Sequence, residues 1–233
     1  MIALVDGDLV AYITAASAEK ESKEIALLRC DRMMRDILET TQAESYKCFI
    51  SGQNNFRYKV NKDYKANRKD TIDPKWRETC KDFLITEWNS SVTDSIEADD
   101  ALGIEQVQLK DSSIICSIDK DLDCIPGLHY SWPIIRGGKV VREGKIYSIT
   151  EEQAIKHFYK QMLIGDKADN IIGVSGIGTV RAGKLIDPLK TEIDMYQTVC
   201  DLYKDVERFD MNADCLWIQH NQDELFTHRD PWN

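Results

Sequence analysis

The chain has 233 residues, a length that suits one α/β domain with an attached subdomain and a sizeable buried core. Hydrophobic residues make up 42% and charged residues 30%, and no apolar run approaches the roughly 20 residues that a membrane span needs. These features exclude a helical membrane protein and predict a soluble, cytoplasmic one. The formal net charge of −10 does not exclude a nucleic-acid partner, because local fields decide such binding.

The cysteines and histidines give no sign of a disulfide framework or a zinc site. The seven cysteines include no CxxC pair and most lie in apolar segments, which predicts reduced core thiols. The four histidines are scattered without the spacing of zinc ligands. The first residues, MIALVDGD, lack a basic n-region and predict a buried strand rather than a signal peptide.

Predicted strands and helices alternate from the N-terminus onwards. Residues 2–5 predict a short buried strand, and Asp6 follows it directly. Helices are predicted over about 8–18 and 23–40, and a second strand over 46–50. This alternation favours a doubly wound parallel sheet, in which ligands bind at the carboxyl ends of the strands.

The segment from about 54 to 73 is polar, basic and aromatic, with no periodicity of a core element. Between Arg57 and Asp70 it holds six basic and two acidic residues, a local net charge of +4. Lys65 and Arg68 are three apart, so they would share a face if 62–69 were helical. Taken alone, such a segment is more often a solvated loop. Its place between a core strand and an acidic helix favours phosphate binding.

The next predicted elements continue the α/β pattern. Pro74 at a first helical position predicts a helix to about residue 88, and Ser95 is the predicted N-cap of a helix that begins at Ile96. The apolar run 113–118 is typical of a buried parallel strand. Later elements are a hairpin with strands at 130–135 and 139–141, a strand ending at Ser148, and a helix from the Thr150 cap to about 164.

Carboxylates gather in four short clusters, each where an apolar element begins or ends. Crowded carboxylates are costly unless cations neutralise them. Asp119 and Asp121 would face one side of an extended strand end, and Asp166 and Asp169 one side of a helix. The clusters are Asp6/Asp8, Glu97/Asp99/Asp100, Asp119/Asp121/Asp123 and Asp166/Asp169.

One such motif alone is usually a solvated cap or turn, but four together favour a metal centre. An oxygen-only shell suits Mg²⁺ or Mn²⁺, and two ions together would serve phosphodiester hydrolysis. Within the clusters, Asp8 is predicted to be the N-cap of the first helix and Asp123 a loop acid, so neither is assigned to metal.

A glycine-rich turn follows the last acids. Gly173, Gly176 and Gly178 mark a tight turn, and Thr179 begins a helix that carries Arg181 and Lys184. Glycines let backbone N–H groups approach a phosphate, and a helix N-terminus favours an anion. A plain helix connection is equally common for a glycine-rich turn, but the sequence GVSGIG with apolar flanks is more specific.

Taken together, these residues resemble the 5′-nuclease (flap endonuclease) superfamily, and most closely the short 5′→3′ exonucleases of bacteriophages. The resemblance spans nearly the whole chain in family order. The matching segments are LVDGD (4–8), FRYKVNKDYKANRK (56–69), EADD (97–100), SIDKDLD (117–123) and GDKADNIIGVSGIGTVRAGKLI (165–186).

The resemblance implies a fold and an organisation. The fold is α/β, a Rossmann-like (PIN/5′-nuclease-like) parallel-sheet core with a helical arch and a helix–three-turn–helix subdomain. Residues 1–149 would form the nuclease core, with the basic arch or clamp at about 54–90. Residues 150–233 would form the helix–three-turn–helix DNA-binding subdomain and the C-terminal helices.

The resemblance also implies the roles of individual residues. Two or more Mg²⁺ or Mn²⁺ ions would be held by Asp6, Glu97, Asp99, Asp100, Asp119, Asp121, Asp166 and Asp169. The basic pair at the scissile phosphate would be Lys65 and Arg68. DNA would be bound by Arg57, Lys59, Lys62, Tyr64, Lys69, Gly173, Gly176, Gly178, Thr179, Arg181 and Lys184. In relatives the hairpin often holds a K⁺ ion on backbone carbonyls.

One position departs from the family pattern. Relatives usually carry an aspartate just after the second strand, where this chain has Ser51. That acid generally acts through water, so its loss would adjust metal binding and need not abolish activity.

The predicted function is a Mg²⁺-dependent 5′→3′ exonuclease or flap endonuclease that hydrolyses DNA with a 5′ end or 5′ flap in phage replication or recombination. RNA in RNA–DNA hybrids is a second substrate by resemblance. One alternative is a PIN-type ribonuclease, which shares the core and acids but not the GVSGIG hairpin. Another is a catalytically silent protein that binds DNA structures, which the intact set of acids disfavours.

Overall fold

The structure of the chain, a computed structural model, describes residues 1–68 and 71–229. The helices are α1 Gly7–Ser17, α2 Lys23–Thr41, α3 Arg57–Val60, α4 Arg77–Glu87, α5 Ala98–Leu109, α6 Glu151–Ile164, α7 Thr179–Ile186, α8 Glu192–Tyr203 and α9 Val206–Leu216. The strands are β1 Ile2–Asp6, β2 Ser45–Ser51, β3 Ser91–Thr93, β4 Ser113–Cys116, β5 Gly127–Ser131, β6 Ile134–Arg136, β7 Lys139–Arg142, β8 Lys145–Ile149, β9 Gly165–Asp166 and β10 Ile171–Ile172.

The central sheet has six strands in the order β3-β2-β1-β4-β5-β8. Its first five strands run parallel, and β8 pairs antiparallel with β5 at one edge. β1 lies in the middle of the sheet. Its residues Ala3, Leu4 and Val5 are fully buried, as expected for a strand covered on both faces. The predicted doubly wound parallel sheet is confirmed.

Helices cover both faces of this sheet. Ala3 and Val5 of β1 belong to the cluster that includes residues of α1, α2 and α4, while Leu4 points into the other cluster. That second cluster continues without a break into α6, α8 and α9 and includes Phe158 and Phe209. The core therefore extends from the sheet into the residues after 150, and the division of the chain at 149/150 stays a prediction.

The ends of two elements determine how acids are presented: β4 ends earlier than predicted, whereas α6 ends at the predicted residue. β4 ends at Cys116, so Asp119 lies in the loop beyond the strand, and a 3₁₀ turn begins at Asp121. α6 ends at Ile164, so Asp166 lies in β9 and not on a helix face. The predictions of a shared strand face and a shared helix face were wrong for these acids, because Asp119 and Asp121 lie beyond the strand and Asp166 lies beyond the helix.

The glycine-rich turn between α6 and α7 depends on close backbone packing. Gly165 has a φ of 76°, and a Cβ there would lie 2.3 Å from the backbone nitrogen of Gly173. A Cβ on Gly173 would in turn lie 2.4 Å from the backbone of Ile164. These glycines let the chain reverse directly after α6, whereas Gly178, at the start of α7, has open space where its side chain would be.

No helix in the described ranges is both long and apolar enough to cross a membrane.

The segment after α9 contains a histidine whose burial predicts a pH-dependent stability. Burial lowers the pKa of His220 to about 4, and its ring packs on Trp217 at a centroid distance of 4.5 Å. The folded state then binds fewer protons than the unfolded state, so stability falls as pH drops from about 6.5 towards 4. We expect His220→Gln to remove about 1–2 kcal/mol of the stability difference between pH 7 and pH 5. Urea unfolding of both proteins at the two pH values measures it, and equal pH dependences would contradict it.

Candidate active site

The acid clusters meet in one open cavity at the carboxyl ends of β1, β2 and β4. The cavity has a volume of about 1060 Å³. Nine carboxylates line it, which are Asp6, Asp8, Asp73, Glu97, Asp99, Asp119, Asp121, Asp166 and Asp169. Four cationic side chains also line it, which are Lys65, Arg68, Arg77 and Lys81. Seven of the eight acids predicted as metal ligands are therefore brought together.

Asp6 is positioned by the junction of β1 and α1. It is only 2% exposed and is the N-cap of α1, because its Oδ1 accepts the N–H of Leu9 at 3.0 Å. Its Oδ2 accepts the hydroxyl of Ser117 at 2.8 Å. The prediction that Asp8 is this N-cap was wrong, because the helix begins one residue earlier than expected, at Gly7.

The first turn of α5 carries the second acid cluster. Glu97 is the N-cap of this helix, not Ser95 as predicted, because α5 begins at Ala98. Ser51 lies next to it, and its hydroxyl oxygen accepts the N–H of Ala98 at 2.9 Å. The residue that stands where relatives have an aspartate thus helps to cap the helix that presents Glu97 and Asp99.

Asp100 does not face the cavity, so its prediction as a metal ligand was wrong. It is 0% exposed, and Arg57 donates to both of its oxygens at 2.6 and 2.8 Å. The N–H groups of Glu97 and Gln219 fill its remaining acceptor positions at 3.0 and 3.1 Å. Since every oxygen lone pair is committed inside the protein, this carboxylate has a structural role.

Arg57 is the buried partner of that carboxylate, so its prediction as a DNA contact was also wrong. It is 3% exposed and donates to the backbone carbonyls of Cys215 and Trp217, both at 2.8 Å. The guanidinium therefore joins α3, α5 and the C-terminal end of α9. Such a fully bonded buried pair is a structural element, and no part of Arg57 is available to a phosphate.

Tyr64 is similarly buried, at 2% exposed, and is not placed to bind DNA as predicted. Its hydroxyl lies 2.6 Å from Asp169 Oδ2 and 2.9 Å from Glu97 Oε2. It therefore holds two acids from different clusters side by side. Tyr58, which is 48% exposed, is the aromatic residue of this segment that lines the cavity.

Lys65 and Arg68 lie against the acids, as the prediction requires. Lys65 pairs with Glu97 and lies 3.7 Å from Asp169, while Arg68 pairs with Asp169. Burial alone would lower the pKa of Lys65, but the charges of Glu97 and Asp169 raise it, so it remains a cation. The described part of the segment predicted to be helical, residues 62–68, is not an α-helix: a turn leads into a 3₁₀ helix at 66–68.

Three further acids of the cavity have raised pKa values, as expected where negative charges are crowded. Burial, with the charge of Asp119 and other acids added to it, raises the pKa of Asp6 to about 7 and that of Asp121 to about 8. Burial and the charges of Asp6 and Asp119 also raise the pKa of Asp99 well above its usual range. In each case burial and neighbouring negative charge outweigh any nearby positive charge.

The residues present fit divalent cations by their donor chemistry. The cavity offers oxygen donors from several elements, and their raised pKa values show charge that a cation would neutralise. In the structure itself, no three acid, histidine or cysteine side chains of residues 1–68 and 71–229 are gathered as metal ligands. Lysine and arginine side chains instead pair with part of the acids.

Sequence reasoning assigned no site role to four charged residues of this cavity, which are Asp8, Asp73, Arg77 and Lys81. Asp8 lines it, accepting the N–H of Ser51 at 2.8 Å on Oδ2 and lying 2.8 Å from Lys81 Nζ through Oδ1. Lys81 and Arg77 both reach the cavity from α4. A signal for the two cations was available, because they are four apart on a predicted helix and therefore share a face.

The residues predicted to bind DNA outside the cavity fall into two surfaces. Gly176, Gly178, Thr179, Arg181 and Lys184 are exposed around the start of α7, whereas Gly173 is buried. Lys59 and Lys62 are exposed near α3, and Lys69 lies outside the described residues. Their binding of DNA stays a prediction.

Comparisons with known proteins confirm the resemblance predicted from the sequence. The structure of bacteriophage T5 5′-exonuclease with bound divalent zinc superposes with a TM-score of 0.70 at 18% identity, covering 92% of this chain and 88% of that one. A complex of the bacteriophage T5 flap endonuclease with DNA and metal ions gives a TM-score of 0.59 at 17% identity, covering 90% and 91%.

Two curated proteins with similar sequences support the same resemblance. DNA polymerase I of Bacillus caldotenax is 28% identical over an alignment length of 209, with 79% of this chain and 23% of that protein covered. A 5′-3′ exonuclease of Mycoplasma pneumoniae is 24% identical over 234 residues, covering 88% of this chain and 75% of that protein. The chain thus spans about a quarter of the polymerase and most of the exonuclease. It matches no protein-family model.

Proposed function

We propose that this protein is a divalent-metal-dependent 5′ nuclease that hydrolyses phosphodiester bonds of DNA near a 5′ end or 5′ flap. The observation that carries the proposal is the single cavity in which seven of the predicted acids meet Lys65 and Arg68. The similarity to a 5′-3′ exonuclease and to a flap endonuclease solved with DNA and metal ions supports it.

The chain's own residues have separate tasks in this proposal. Mg²⁺ or Mn²⁺ would be held by Asp6, Asp99, Asp119, Asp121 and Asp166. Glu97 and Asp169 would lie between the metal ions and the basic side chains of Lys65 and Arg68. Bound divalent ions supply an activated water and positive charge for the phosphate. Lys65 and Arg68 would neutralise charge on the scissile phosphate, for which each must leave part of its present ion pair.

The glycine-rich turn and α7 would bind the duplex backbone. Exposed backbone N–H groups at a helix N-terminus, with Arg181 and Lys184 beside them, suit phosphate without reading bases. A K⁺ ion on the backbone carbonyls of the turn belongs to the same proposal. So do RNA–DNA hybrids as a second substrate and a role in phage replication or recombination in the host cytoplasm.

Removing the charges of α7 should weaken DNA binding without changing the chemistry. We expect Arg181→Ala/Lys184→Ala to lower the affinity for duplex DNA about tenfold and to reduce the salt dependence by one to two phosphate contacts. The single-turnover rate at saturating DNA should stay near that of the wild type. Fluorescence anisotropy at several salt concentrations measures the affinity, with Lys190→Ala, an 80% exposed cation outside α7, as the control. Equal losses in both variants would contradict this role of α7.

Cleavage assays separate the proposed function from its alternatives. The protein should cut a 5′-flapped DNA duplex in Mg²⁺ and not in EDTA, and should cut single-stranded RNA far more slowly. Preference for single-stranded RNA would favour a PIN-type ribonuclease. Tight binding of flapped DNA with no cleavage in Mg²⁺ or Mn²⁺ would favour a catalytically silent DNA-binding protein.

A further inference from the structure

Lys81 reaches the acid-lined cavity from α4, on a different element from Lys65 and Arg68. Its Nζ lies 2.8 Å from Asp8 Oδ1, and its side chain is 14% exposed. In the described part of the chain, Asp8 is the one carboxylate paired with this ammonium group. An ammonium group has three N–H donors, so this pairing leaves Lys81 with donors for a further oxygen.

The position of Asp8 is fixed from its other side. Its Oδ2 accepts the backbone N–H of Ser51 at 2.8 Å, and the hydroxyl of Ser51 in turn accepts the N–H of Ala98. The carboxylate is therefore held at the end of β2, and it holds the ammonium of Lys81 at the cavity wall. The arrangement places a preorganised cation beside the acids.

The cavity has more acidic than basic side chains, so a cation on its wall would favour the binding of an anionic substrate. Nine carboxylates line the cavity against four cations. Lys65 and Arg68 are committed to Glu97 and Asp169, and Arg77 pairs with Asp73 at its outer rim. A phosphodiester chain that enters this cavity must meet positive charge on the side of α4 as well, or Asp8 would repel it.

We propose that Lys81 is a substrate-contacting residue, held by Asp8, that binds a second backbone phosphate of the strand to be cut, apart from the one at Lys65 and Arg68. Arg77 lies four residues earlier on the same face of α4 and also lines the cavity. The proposal rests on the proposed function, since it assumes that DNA enters this cavity.

The alternative is that Lys81 only neutralises the charge of Asp8 and does not contact the substrate. Measurements on a double variant separate phosphate binding from neutralisation of Asp8. If Lys81 only neutralises Asp8, it is no longer needed once Asp8 has lost its charge. If Lys81 binds phosphate, Lys81→Met should weaken binding of a 5′-flapped duplex about five- to tenfold in EDTA. The slope of log affinity against log salt should fall by about 0.7–0.9, the value of one phosphate contact. Asp8→Asn/Lys81→Met should keep that lower slope and bind more weakly than the wild type.

Anisotropy in EDTA measures binding without cleavage, so the result is independent of whether the protein is a nuclease. Lys81→Arg should restore most of the affinity, and Arg35→Met, which removes a cation of α2 that is 69% exposed, should change nothing. Circular dichroism melting shows whether each variant is folded. If Lys81→Met is not folded, the binding of Lys81→Arg is compared with that of the wild type instead. Recovery of wild-type affinity and slope in the double variant would overturn the proposal, as would an unchanged slope in Lys81→Met. Cleavage by the wild type with either of those results would leave the proposed function intact.

Discussion

Asp121→Asn should reduce cleavage of a 5′-flapped duplex at least about 1,000-fold while DNA binding in EDTA stays within about twofold of the wild type. Asp121 lines the cavity, and burial together with the charge of Asp119 raises its pKa to about 8. An amide of the same size removes one negative oxygen from the donor set without opening a hole. Single-turnover cleavage in Mg²⁺ measures the effect.

The chain supplies a matched control two residues further on. Asp123 belongs to the same 3₁₀ turn but accepts the hydroxyl of Tyr147 at 2.8 Å and does not line the cavity. Asp123→Asn should therefore leave the cleavage rate within about threefold of the wild type. Equal losses in the two variants would mean that the turn as a whole matters and not the acid in the cavity, and full activity in Asp121→Asn would refute the metal assignment.

Arg57→Met should lower the free energy of unfolding by about 3–5 kcal/mol, because it leaves the carboxylate of Asp100 buried and unpaired. It also removes the donors to the carbonyls of Cys215 and Trp217. Urea unfolding measures the change. Arg35→Met breaks an exposed pair with Asp31 and should cost less than about 1 kcal/mol, which makes it the matched control.

A double variant tests the reason for that instability. Arg57→Met/Asp100→Leu removes both charges and should recover part of the lost stability, since apolar replacements of a whole buried pair are often tolerated. If the double variant is less stable than Arg57→Met, the unpaired charge is not the cause. A stability of Arg57→Met close to that of the wild type would mean that the pair is not buried in solution.

The sequence allowed the main elements and most of the cavity to be predicted, because both follow from local patterns. Apolar runs followed by acids identified β1 and β4, and carboxyl ends of parallel strands meet at one edge of a sheet. That reasoning placed Asp6, Asp119 and Asp121 together before their exact elements were known. The strand ends themselves were less predictable, since β4 ends at Cys116 although the apolar run continues to Ile118.

Residues whose role depends on distant partners could not be assigned in this way. Arg57 and Asp100 look like a basic and an acidic site residue, but Arg57 bonds to backbone atoms 158 and 160 positions away in the chain. A local clue did exist for Asp100, because it is the third residue of α5 and bonds back to the N–H of Glu97, as capping residues do.

Lys81 and Asp8 show the opposite case. Asp8 was predicted to be an N-cap acid and Lys81 was given no role, yet the structure brings them together in the cavity. Only the packing of α1 against α4 creates that pair, and a pattern within either helix alone does not predict it.

Product mapping tests the central claim most directly. A duplex with a single-stranded 5′ flap is labelled at the 5′ end of the flap in one preparation and at the 3′ end of the same strand in another, and both are incubated with the protein in Mg²⁺. The account predicts cuts at or near the junction of flap and duplex, with 5′-phosphate on the retained strand and no cutting in EDTA. Cutting that begins from the 3′ end, or cutting that persists in EDTA, would contradict it.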